Sequence, residues 1–170
     1  MAKKKKISIA LILSAVAALL GIVSLIMLAA PGISYTVELL GMKSTTTYSM
    51  AQLTFGSEKG GFAFSFMNLL PFLLSAIGIV LCAITAIKGN KFTAFIAAVC
   101  FLAAGVLFFC CKQLIVFDTG DLTGDLKDSA IEISKEVIKN FKLGIGAILA
   151  GILSILAAIA SAGAAVLGKK

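Results

Sequence analysis

The chain has 170 residues, of which 60% are hydrophobic and 14% charged, and its mean hydropathy is +1.09. A water-soluble domain carries roughly 45–50% apolar and about 25% charged residues, so one core would not hide this much apolar surface and lipid must solvate most of the chain. The net charge of +7 comes from Lys alone, because there is no Arg; nucleic-acid binding, which leans on Arg for base and phosphate contacts, is disfavoured.

The first apolar run, Ile7 to Ala30, follows four consecutive Lys residues. That order resembles a secretory signal peptide, whose apolar core has about 7–15 residues. This run has 24, and its small-residue site at Ala30 precedes Pro31, so a retained helix is expected. Three further runs follow at residues 69–87, 92–111 and 143–167, each of 19–25 residues and free of charge. A bilayer core about 30 Å thick needs about 20 helical residues. The expected fold class is an all-α membrane protein: a four-transmembrane-helix bundle with a small extracytoplasmic β-sheet and an amphipathic helix leading into helix four. Residues 1–170 form one membrane domain, with an outer loop at 31–68, a tight turn at 88–91 and a second outer loop at 112–142.

In the first outer loop, Tyr35, Val37 and Leu39 alternate with polar residues, and the Thr-rich run Ser44 to Phe55 follows Gly41, which suits a hairpin turn. Phe62, Phe64 and Phe66 recur at period two, which predicts a third strand with three rings on one face, or an interfacial anchor beside the bilayer. Asn68 is placed as the cap of helix two and Pro71 in its first turn, where a missing N–H costs nothing.

The second outer loop holds six of the eight acidic residues, between Asp118 and Lys142. From Asp125 onward, Leu126, Ala130, Ile133, Val137 and Phe141 fall on one side of a helical wheel and Asp, Glu and Lys on the other. The polar face is mainly acidic, so lying flat on anionic lipid is disfavoured. With no Pro or Gly before Leu143, one rod of about 43 residues and about 65 Å is expected to run through helix four. Its apolar face would cover the sheet or a protein partner. Leu114 to Phe117 is its natural neighbour, as a strand or an extension of helix three.

Helix four has the sharpest pattern: Gly144, Ala147, Gly151, Ser154, Ala158, Ser161 and Ala165 recur three and four residues apart, with larger residues opposite. Such a stripe forms a packing seam, because small residues let backbones approach where lipid supplies no hydrophobic drive. Shorter stripes run through helix one (Ala10, Ser14, Ala17, Gly21, Ser24), helix two (Ser75, Gly78, Cys82, Thr85) and helix three (Ala97, Cys100, Ala104, Cys111). A compact bundle with large side chains toward lipid, and little room for a pore, is expected.

Eight Lys and no acid fall on the side holding the termini and the 88–91 turn, whereas the outer loops hold seven Lys against eight acids, a net of −1. The Lys excess marks the cytoplasmic side, so both termini are expected in the cytoplasm of a multi-pass cell-membrane protein. The chain has no His, no charge lies within a span, and Asp118, Asp121 and Asp125 lack the full calcium-loop pattern. No catalytic, cofactor-binding or metal-binding residue is assigned. The four Cys, at 82, 100, 110 and 111, are expected as small packing residues in the spans.

Four spans, cytoplasmic ends and a longer strand-like first loop make the outline similar to that of claudins and related tetraspan proteins. The first loop carries neither the Trp nor the Cys pair of claudins, and the second lacks the Cys-Cys-Gly motif of tetraspanins, so no residue role is carried over. The expected function is that of a non-enzymatic membrane anchor or scaffold presenting an extracytoplasmic interaction surface. Membrane lipid would surround it, and a protein partner would bind through the outer loops or the helix seam. The alternative is a small integral subunit of a transporter or export complex.

Overall fold

The computed structural model describes residues 9–39, 42–57, 61–118 and 138–167, with the side chains of residues 37–39 outside that description. The chain is mostly helical. Helices α1 (Ile9–Ile26), α3 (Phe66–Lys88), α4 (Lys91–Phe109) and α5 (Ile145–Leu167) form a bundle, and a short helix α2 (Met50–Phe55) lies outside it. The four bundle helices are long and apolar enough to cross a membrane.

Each bundle helix packs on the helix before and after it, with α5 closing back on α1. Local signals set the ends. Ser65 caps α3 by accepting from the Asn68 N–H, and Gly89 ends it in the left-handed region at φ 66°. Asn90 then caps α4 through the Phe92 N–H at 2.9 Å. Lys-Gly-Asn-Lys is therefore a complete C-cap followed at once by an N-cap, which turns the chain in four residues. Asn68 does not cap α3 as expected; the helix begins three residues earlier than read, so Pro71 sits inside it rather than in its first turn.

The buried faces of three helices are lined mainly by small residues: Ser14, Ala17, Gly21 and Ser24 in α1, Ser75, Gly78, Cys82 and Thr85 in α3, whose first turns also bury Asn68, Pro71 and Phe72, and a longer row in α5. Helix α4 differs from expectation. Its buried face is Ala94, Ala97, Ala98, Phe101, Ala104, Gly105 and Phe108, with Cys100 off that face. Two large rings thus point inward rather than to lipid. Phe101 is fully buried, and a Cβ added at Gly21 or at Gly78 would lie 2.7 or 2.8 Å from its ring. The glycines of α1 and α3 are the space that the ring of α4 occupies.

Beyond one end of the bundle lies a three-stranded antiparallel sheet in the order β2-β1-β3, where β1 is Pro31–Leu39, β2 is Met42–Ser49 and β3 is Lys142–Leu143. The hairpin of β1 and β2 is as expected, with Leu39 opposite Met42 and Tyr35 opposite Thr46. Two expectations fail. The Thr-rich run does not stay extended to Phe55, because Ser49 and Gln52 form a reciprocal capping box that opens α2. The third strand is Lys142–Leu143 and not the Phe62–Phe66 ladder. Phe62 makes only isolated bridges to Ser57 and Phe117, Phe64 is exposed, and Phe66 is the first residue of α3.

The single rod into helix four is also broken. Ile138–Asn140 is helical, Phe141 is not, and β3 intervenes before α5. The cause is tertiary: Leu143 pairs with Ile33, and the Gly144 N–H donates to the Gly32 oxygen at 2.7 Å. Strand pairing with β1 outcompetes continued helix.

Candidate functional site

The sheet end of the bundle carries the structure's densest polar and aromatic organisation. Asn68, in the first turn of α3, is fully buried, and its Nδ2 donates to the Leu53 and Leu114 oxygens at 3.3 Å each. The Ser65 hydroxyl donates to the same Leu114 oxygen at 2.7 Å. The Thr54 hydroxyl donates to the Met50 oxygen at 2.8 Å, and the Ser65 N–H donates to the Thr54 oxygen at 2.9 Å. One node of three side chains thereby joins α2, α3 and the 3-10 turn Cys111–Leu114 that follows α4. These backbone groups lie where regular structure ends, and burying them unpaired would cost about 1–3 kcal/mol each.

Rings fasten the rest. Tyr48 stands edge-on to Phe62 at 4.9 Å, Phe62 meets Phe117 at 5.6 Å, and Tyr35 stands edge-on to Phe141 at 5.5 Å. Beyond the 3-10 turn the chain is extended: the Val116 oxygen accepts from the Ala63 N–H and the Asp118 N–H donates to the Gly61 oxygen, each at 2.9 Å. Leu114 to Phe117 thus begins in a turn and continues strand-like beside Gly61–Ala63. Ile33, Leu53, Phe62, Phe141, Phe108, Cys111 and Ala147 share one core cluster, so head and bundle have a common interior.

Among the described residues of this end, the one ionisable group with a resolved shift is Cys111, just beyond α4. Burial pushes its thiol up to about 12, with the backbone N–H of Lys112 pulling weakly the other way. It is a packing residue in its protonated form and no nucleophile.

The proposed interaction face is described only at Phe141, which is buried against Tyr35; Leu126, Ala130, Ile133 and Val137 lie outside the described residues, as do Asp121 and Asp125. In the helix seam, Gly144, Ala147, Gly151, Ser154, Ala158 and Ser161 are buried and Ala165 is half-buried. Ile145, Leu149, Ile152, Leu156, Ile159 and Val166 on the opposite side are exposed. The seam packs on α4 and α1 of its own chain. At its far end the Ser161 hydroxyl donates to the Ala94 oxygen at 3.1 Å and lies 3.4 Å from the Cys82 sulfur, joining α5 to α4 and α3.

Sequence reasoning missed the Asn68–Ser65–Thr54 node. The capping box Ser49-Met-Ala-Gln52 was its one visible signal, since it fixes α2 and hence the Leu53 carbonyl. No known protein family matches the chain, and no curated protein is significantly similar to it.

Proposed function

We propose that the chain is a non-enzymatic multi-pass protein of the cell membrane that anchors its sheet end outside the cytoplasm, as a surface for another protein. The reading rests on one observation, the charge difference between the two ends of the bundle. Lys88 and Lys91 flank the turn at the end away from the sheet. In the sequence, Lys3, Lys4, Lys5 and Lys6 precede α1, and Lys169 and Lys170 follow α5. The sequence segments joined to that end of the helices carry Lys and no acid, and the Lys-rich side of a multi-pass protein faces the cytoplasm. Both termini are then cytoplasmic and the sheet end is extracytoplasmic.

The test is labelling in intact cells with a membrane-impermeant maleimide. Cysteine at the exposed Thr47 should react and cysteine at the exposed Asn90 should not; the reverse pattern ends this reading.

A second reading, the integral subunit of a transporter or export complex, is favoured by a groove of about 390 Å³ between α4 and α5, lined by Phe95, Val99, Leu102, Ile155, Ile159 and Ala162 among others. A helix of a larger assembly would seat there. Purification in mild detergent distinguishes the two: a stoichiometric transporter partner lost on Ala162→Phe supports the second.

A further inference from the structure

Three phenylalanine rings stand out where the chain passes from α2 to α3. Phe55, Phe64 and Phe66 are each more than half exposed, while their neighbours Thr54 and Ser65 are buried. One register brings them together. The Ser65 N–H donates to the Thr54 oxygen, and Ser57 bridges Phe62 antiparallel, so Phe55 lies opposite Phe64. Ser65 is extended, at φ −117° and ψ 104°, which puts Phe64 and Phe66 on one side of the chain. Phe66 in turn opens a stripe of exposed residues along α3, continued by Leu73, Ile77, Val80 and Ile87. The other face of α3 buries Ser75, Gly78 and Cys82. In a helix long and apolar enough to cross a membrane, the exposed stripe is the lipid face, and Phe64 and Phe55 continue it past the end of the helix.

We propose that Phe55, Phe64 and Phe66 are seated in the headgroup boundary of the bilayer that α3 crosses, and that they hold the end of α2 down on the membrane. The depth agrees. Phe66 and Lys88 end α3 about 33 Å apart at 1.5 Å per residue, against roughly 30 Å of hydrocarbon. With the Lys88 ammonium at one boundary, Phe66 is at the other and Phe64 lies just outside it, in the zone where the apolar side chains of interfacial helices settle. An exposed apolar patch marks a protein or a membrane contact, and two features select lipid. The patch is continuous with the lipid face of α3. It also lacks the polar rim of a protein interface: Thr54 and Ser65 turn their hydroxyls inward onto the Met50 and Leu114 oxygens, and the N–H groups of Gly56, Ser57, Phe62, Ala63 and Ser65 are paired within the chain. No charged residue occurs in Ser44–Ser57 or in Gly61–Ile87; Glu58 and Lys59, between those runs, lie outside the described residues. The seating goes beyond the reading above and holds whichever side of the membrane the sheet end faces.

The chain has no Trp, so a single introduced Trp reports its own surroundings. Phe55→Trp and Phe64→Trp each replace one exposed ring by another. The full chain is reconstituted into phosphatidylcholine vesicles whose acyl chains carry bromine near the headgroup, with iodide in the water on both sides as the competing quencher. Each Trp should lose at least half of its emission to bromine and resist iodide, whereas Thr46→Trp, at an exposed site on β2, should show the opposite pattern. Adding Phe64→Ser to Phe55→Trp should cut the bromine quenching at least twofold, while the buried Cys111 stays unlabelled by maleimide, as a folded head requires. Iodide quenching of Phe55→Trp and Phe64→Trp as strong as that of Thr46→Trp overturns the seating, because the rings then stand in water. Resistance to both quenchers overturns it as well, because a second copy then covers them. Bromine quenching of Phe55→Trp that ignores Phe64→Ser overturns the hold on α2. The maleimide pattern at Thr47 and Asn90, which decides sidedness, can come out either way without altering these results.

Discussion

Gly144 donates its N–H to the carbonyl oxygen of Gly32 across 2.7 Å, and the two backbones are close enough that a Cβ on Gly144 would sit 2.7 Å from the Gly32 carbonyl carbon. This contact ends β3, starts α5 and stitches the sheet to the bundle. Gly144→Ala must push backbone against backbone, with no flexible side chain to yield. We expect a loss of about 1–3 kcal/mol, read as earlier thermal unfolding in detergent, with Ala162→Val, at an exposed site, as the neutral control.

At the bundle centre, Phe101 occupies the space left by Gly21 and Gly78. Gly78→Leu should destabilise by about 1–3 kcal/mol through overpacking, and Phe101→Ala by about 3–5 kcal/mol through the cavity it leaves. Because the two changes act on one space, the double variant should recover part of the loss. Unfolding free energies of the four proteins in the cycle measure the coupling, and strict additivity would contradict the contact.

Asn68 serves the head more than the bundle. Asn68→Leu keeps the volume but strands the Leu53 carbonyl, whereas the Leu114 carbonyl keeps the Ser65 hydroxyl; the cost is about 1–3 kcal/mol for the one buried group left unpaired. Hydrogen exchange should accelerate at Leu53 to Phe55 and around Leu114, while the centres of α3 and α4 keep their protection. Uniform acceleration across all four helices would place Asn68 in the bundle's stability instead.

The raised Cys111 pKa makes a signed prediction. Below the ordinary thiol value of 9.0, folded and unfolded chains both hold the proton and pH has no effect through this group. Above it the unfolded chain ionises while the folded one resists until about 12, so stability falls with rising pH across that window. Cys111→Ala should flatten this part of the profile, and Cys111 should resist maleimide at pH 8 unless the chain is unfolded.

The periodicities of single helices were legible because each is a local record of one face. The three-four spacing from Gly144 to Ser161 marks residues that the fold buries, and Lys-Gly-Asn-Lys spells out the turn that it makes. What escaped was set between distant segments. The two residues of β3 have no strand pattern of their own and are extended only because β1 lies beside them. The inward turn of Phe101 depends on glycines in two other helices. The Phe62–Phe66 spacing matches a strand, yet Ser65 captures the Asn68 N–H and starts α3 at Phe66, so a local cap overruled a period of two. The residues of the acidic wheel other than Phe141 stay expectations.

Packing the small residues inward has an outcome for the molecule's neighbours in the plane of the bilayer. Its flanks are Leu, Ile, Val and Phe, with the hydroxyls of Ser14, Ser24, Ser75, Ser154 and Ser161 buried inside. Lateral companions meet a wall with the chemistry of the acyl chains around it, and shape alone distinguishes one flank from another. Chemical identity is displayed beyond the ends of that wall, where hydroxyls, peptide groups and the exposed Lys88 and Lys91 reach water.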